Sequence, residues 1–149
     1  MNKRKFASVL LASAIGIFAV IQLIPFGRNH TNPPIVSEPQ WSSPEARALV
    51  KERCFQCHSN ETEWPWYSNI APGSWLIAWD VNRGRNKFNF SEWENHPEEL
   101  EEMIDEIEEG KMPPIQYWIV HPEARMDEGQ KQELINALQS SIPEGGSHD

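Results

Sequence analysis

Cys54-Phe55-Gln56-Cys57-His58 decides how this chain is read. Cysteines three apart on a helical turn point to one side. His58, next to Cys57 and four residues from Cys54, reaches the same face. That spacing is the C-x-x-C-H pattern of covalent haem attachment, with two thiols in reach of the vinyl groups of one porphyrin and an imidazole able to approach its iron. Two other chemistries use the same residue types. Cys54, Cys57 and His58 supply three zinc ligands, but a structural site wants a fourth and the chain has no other cysteine. A dithiol redox pair needs a βαβ setting, and none is visible.

Upstream of the motif, Ser43-Pro44 opens a helix, with Ser as cap and Pro at the first helical position. Ala46, Leu49, Val50 and Arg53 carry that helix into Cys54. Downstream, Trp64-Pro65-Trp66-Tyr67 and Ala71-Pro72-Gly73-Ser74 precede a short helix holding Trp75, Leu76, Trp79 and Val81, and Arg83 to Trp93 reads as irregular. Pro97 can open a helix whose apolar stripe is Leu100, Met103, Ile104 and Ile107, closed by Gly110. A last helix starts at Asp127, with Gln130 as its capping-box partner, and buries Leu134, Ile135, Leu138 and Ile142. No segment alternates with period two and no hairpin dipeptide occurs, so the fold class is all-α.

Met112, in Gly110-Lys111-Met112-Pro113-Pro114, is the best candidate for a second axial iron ligand. Two prolines stiffen the loop in extended form and present the thioether at a fixed place. The competing reading makes Met112 a core filler behind a helix stop. His121, Met126, Met103 and His96 are rival ligands, and an open iron face is a further alternative. The Pro72 carbonyl is a candidate acceptor for the second ring nitrogen of His58, or else Pro72 is a turn former. Trp64, Trp66, Tyr67, Trp75, Trp79 and Trp93 either wall a haem edge or form ordinary core. Arg83 and Arg85 either pair with propionates or lie on the surface.

Of 13 Lys and Arg residues, four (Lys3, Arg4, Lys5 and Arg28) precede Glu38, the first acid. From Glu38 onward nine bases face all 22 acids, a net charge of −13. Phosphate backbones repel such a domain, so nucleic acid is excluded as a partner. Eight acids fall between Glu98 and Glu109, which suits docking of a basic redox protein or simply a solvated helix face. Seven tryptophans imply a large flat apolar partner or an aromatic-rich core.

Lys3-Arg4-Lys5 precedes an apolar run from Phe6 to Phe26. Its 21 residues span about 31 Å as a helix, close to the hydrocarbon thickness of about 30 Å. A cleaved signal peptide competes with an uncleaved anchor, but its apolar region is usually shorter and no small-x-small site follows the run. The basic cluster then stays in the cytoplasm and the rest lies outside. The expected organisation is an anchor over 1–27, a Pro-rich linker over 28–40, a haem-binding domain over 41–142 and a flexible tail over 143–149.

With these elements placed, the chain resembles a small class I c-type cytochrome. An N-terminal helix enters Cys54–His58, then come a Pro-containing loop, a Met-Pro-Pro loop and a C-terminal helix. More closely, it resembles the bacterial haem-binding domain family. The matching stretches are Cys54–Asn60, Trp64–Ser68, Ala71-Pro72, Asn89-Phe90-Ser91, Gly110–Pro114 and His121-Pro122-Glu123-Ala124. The resemblance implies a cytochrome c-like helical domain around one covalent haem c, with Cys54 and Cys57 as thioether positions and His58 and Met112 as iron ligands. The expected role is single-electron transfer outside the cytoplasmic membrane by an anchored carrier that is not an enzyme. A five-coordinate haem sensor or peroxidase-type protein is the alternative.

Overall fold

The structure is a computed structural model and describes residues 2–93 and 99–142. Pro97, His96 and the 143–149 tail therefore lie outside the described residues. Among the described residues there are helices and no strand, with one isolated parallel bridge between Ser37 and Glu92. The helices are α1 (Lys3–Ile21), α2 (Pro44–His58), α3 (Gly73–Lys87), α4 (Leu100–Glu108), α5 (Ile115–Val120) and α6 (Glu128–Ser141). Single 3-10 turns occupy Trp66–Asn69 and Pro122–Ala124.

The chain forms two compact units. One comprises the N-terminal stretch through Thr31 together with Trp64–Asp80; the other comprises Asn32–Glu63 and the chain from Val81 onward. In the first, α1 has 19 residues and none of them is buried. It is long and apolar enough to cross a membrane, a property that a signal sequence shares.

In the second unit, α2 and α4 both pack on α6. The Leu100, Met103 and Ile107 stripe is buried, as are Leu134, Ile135, Leu138 and Ile142. At the start of α6, Asp127 and Gln130 form the reciprocal capping box read from the sequence. An aromatic core fills the space between helices: Phe90 lies 5.4 Å from Phe55, 5.4 Å from Trp93 and 5.7 Å from Trp41. The Pro-rich stretch is extended, but its second half is tied down, because the Pro34 carbonyl accepts from Asn60 Nδ2 at 2.8 Å and Val36 N donates to Ser91 O at 2.8 Å.

One sequence expectation is corrected here. Helix α3 is not short; it continues through Arg83 to Lys87, and the irregular stretch begins only at Phe88. Glycine and two asparagines make the end of α3 a weak helix former. Burial of Val81, 1% exposed, and the close packing of Gly84 supply what local propensity lacks.

Candidate functional site

Helix α2 begins with the Ser43 hydroxyl accepting from Ala46 N at 3.1 Å, and Pro44 follows as its first residue. Val50 and Phe55 turn into the core, which fixes the face that the last turn presents. All of Cys54, Cys57 and His58 are helical, so the structure brings these three together on the C-terminal turns. Cys54 packs partly against the core and Cys57 is partly buried, and among the described residues no disulfide joins them. Burial pushes the Cys54 thiol up to about 12, with Cys57 adding to the rise and Arg53 opposing it.

His58 is buried at 8% exposure, with its ring stacked on Phe88 at 4.0 Å. Burial lowers its imidazole to about 4, against the Phe88 and Gly84 carbonyls, which favour the charged ring. The ring is therefore neutral near pH 7, the form that ligates metal. Its Nδ1 faces the Phe88 carbonyl at a long 3.4 Å. Donation there puts the ring proton on Nδ1 and leaves the Nε2 lone pair for a ligand.

Of the two readings of Pro72, the turn former is the one that agrees with its hydrogen bonds. Pro72 opens α3, so its carbonyl is committed to the Trp75 and Leu76 amides at 3.1 and 3.2 Å, and Phe88 supplies the carbonyl that faces His58.

A buried polar network secures the chain just past the motif. Phe90 N donates to His58 O at 2.8 Å, and Asn60 N to Ser91 Oγ at 2.9 Å. Asn89 Nδ2 donates to Asn60 Oδ1 at 2.9 Å, while Asn89 Oδ1 accepts from Ser91 N. Arg85 is partly buried and its donors are engaged by the chain itself. Its Nε donates to Ser59 O at 2.8 Å and its Nη2 to Asn32 Oδ1 and Thr62 Oγ1, so its donors staple the segment after His58. These roles of Phe88, Gly84, Asn60, Asn89 and Arg85 were missed in the sequence. The detectable signal was the polar Asn89 and Ser91 flanking an aromatic core residue.

Met112 stands on a separate loop. Gly110, at φ 68°, ends the α4 segment, and the Lys111 and Met112 amides both donate to Glu106 O, at 2.9 and 3.0 Å. The Met112 side chain is 37% exposed, so the core-filler reading does not hold. Met103 is core, and Met126 packs partly on it. His121 is engaged by Glu123 at 3.1 Å and by the Tyr117 ring at 4.6 Å. Trp93 is core too, whereas Trp66 and Trp79 are exposed.

Zinc requires donors converging on one point at about 2.0–2.3 Å. Among the described residues no group of three His, Cys, Asp or Glu side chains is placed to hold an ion. Cys54, Cys57 and His58 are thus not closed around a single metal. A porphyrin asks something different, sulfurs at its edge and an imidazole toward its centre, and a neutral, carbonyl-backed His58 beside two unbridged thiols fits that demand.

The model of the family described as Haem-binding domain matches residues 16–140. No curated protein and no solved structure matches the chain. The match spans most of the sequence, including the Cys54–His58 turn, Phe88 and Met112, and the chain belongs to the haem-binding domain family.

Proposed function

We propose that this chain is a membrane-anchored, monohaem c-type cytochrome that carries single electrons outside the cytoplasmic membrane and is not itself an enzyme. The observation that carries the reading is Cys54, Cys57 and a buried, neutral His58 on one helix end, in a member of a haem-binding family.

Cys54 and Cys57 are the thioether positions, and His58 Nε2 is the proximal ligand, oriented by the Phe88 carbonyl. Met112, accessible on its loop, is the distal ligand. When bound, the haem supplies a one-electron iron couple, whose potential thioether-plus-imidazole ligation raises. The haem-carrying part covers residues 41–142, with one haem c per chain.

Helix α1 is read as an uncleaved single-pass anchor with Lys3, Arg4 and Lys5 on the cytoplasmic side. The exposed acids Glu101, Glu102, Asp105 and Glu108 on α4 give a docking face for a basic redox protein, and that contact weakens as salt rises. Spectroscopy of the oxidised protein tests the distal ligand. An iron–thioether charge-transfer band is expected, and it disappears in Met112→Ala. Absence of the band in the unmutated protein, with rapid CO binding after reduction, assigns instead an open iron face of the sensor or peroxidase type.

A further inference from the structure

Residues 64–79 contain four tryptophans and a tyrosine and not one charged side chain, between Glu63 and Asp80. Apolar side chains here are not all folded inward: Trp66 is 76% exposed, Leu76 53% and Trp79 50%. Patches of that kind mark a contact surface.

The same segment is fastened to the end of α1. At the helix terminus, Gln22 Nε2 donates to Ala71 O at 2.9 Å and Gln22 Oε1 accepts from Ala71 N at 3.0 Å. Five residues on, Gly27 has φ +77° and passes so close to the Ser74 carbonyl that no Cβ fits. His30 then stacks on Trp64 at 4.6 Å and meets the Ser68 hydroxyl at 3.1 Å. Leu23 and Phe26, between these clamps, are themselves exposed. The aromatic segment is thus held at the point where the 19-residue helix α1, apolar from Phe6 onward, stops.

We propose that Trp66, Ile70, Leu76 and Trp79 form a platform that lies in the lipid headgroup–acyl interface at the outer end of the anchor. Tryptophan favours that depth because its ring is apolar and its N–H finds water or headgroup oxygens. Charge would oppose entry, and none is present. Lipid is favoured over a protein partner because the segment is fastened at Ala71 to Gln22, directly after the span, beside the exposed Leu23 and Phe26. The inference rests on the anchor reading of α1.

The test uses the full chain in phosphatidylcholine vesicles carrying a lipid with a photoactivatable diazirine near its headgroup, with labelled sites located by mass spectrometry of peptic peptides. Label is expected on residues 64–79 several-fold above that on α6, undiminished by high salt, together with label on α1. Replacing both exposed indoles (Trp66→Ser with Trp79→Ser) is expected to bring 64–79 down to the α6 level and leave α1 unchanged. Label on α1 with none on 64–79 overturns the platform while the anchor stands. Label on neither overturns both.

Discussion

Gly84 runs so close to the last turn of α2 that a Cβ on it would lie 2.5 Å from the Cys57 carbonyl oxygen and 3.1 Å from Cys57 Cβ. Backbone cannot yield there as a flexible side chain would. Gly84→Ala is expected to cost about 1–3 kcal/mol as overpacking, read as a lower urea midpoint. Because the displaced group is Cys57 itself, the haem-to-protein absorbance ratio of the expressed protein is expected to fall as well.

Asn89→Ala removes the donor to Asn60 Oδ1 and the acceptor for Ser91 N, both buried. Each orphaned polar group costs about 1–3 kcal/mol, so a loss near 3 kcal/mol is expected in equilibrium denaturation. Asn89→Asp keeps the acceptor and loses only the donor. It is expected to leave a carboxylate against Asn60 Oδ1 and to be no better tolerated.

Arg85→Lys tests the staple after the motif. A single ammonium cannot reproduce a guanidinium fork that reaches Ser59 O, Asn32 and Thr62 at once. A loss of about 1–3 kcal/mol is expected from the unmade bonds, again as a shift in urea midpoint. Were Arg85 held by a propionate instead, Arg85→Lys would alter the potential and leave the stability of the haem-free protein, expressed without attachment machinery, unchanged.

The acid limb of stability belongs partly to Glu38. Its carboxyl is held below its usual 4.5, chiefly by the Arg47 guanidinium, which donates at 2.8 and 2.6 Å, with Trp41 adding a bond and burial opposing. A depressed carboxylate contributes stability above pH 4.5 that is lost as pH falls through its folded value. Glu38→Gln is therefore expected to lower stability near neutrality by about 1 kcal/mol for a partly exposed pair, seen as a lower melting temperature, and to flatten the fall below pH 4.5. Thermal melts across that range measure both effects.

Local signals in the sequence carried the helix ends and the stripes. Ser43-Pro44, the Asp127–Gln130 box and Gly110 each act through one or two residues of chain, and all three stand as read. Contacts between distant segments were not legible. Phe88 meets His58 across 30 positions, and no local pattern says which carbonyl will do so. Gly84 falls in a stretch that reads as irregular, because its role is set by Cys57, on another helix. The tryptophans read as one group, yet Trp41 and Trp93 belong to the core while Trp66 and Trp79 are exposed. Indole counts alone cannot separate those environments, since the same ring suits a core, a cofactor wall or a lipid interface.

The most direct test of covalent haem binding is a pyridine haemochrome spectrum of the full chain, co-expressed with haem-attachment machinery and extracted with acid acetone. One haem per chain that resists extraction, with a thioether-substituted spectrum that changes in Cys54→Ala and Cys57→Ala, is the expected result. A colourless polypeptide whose two thiols both react with iodoacetamide would contradict it.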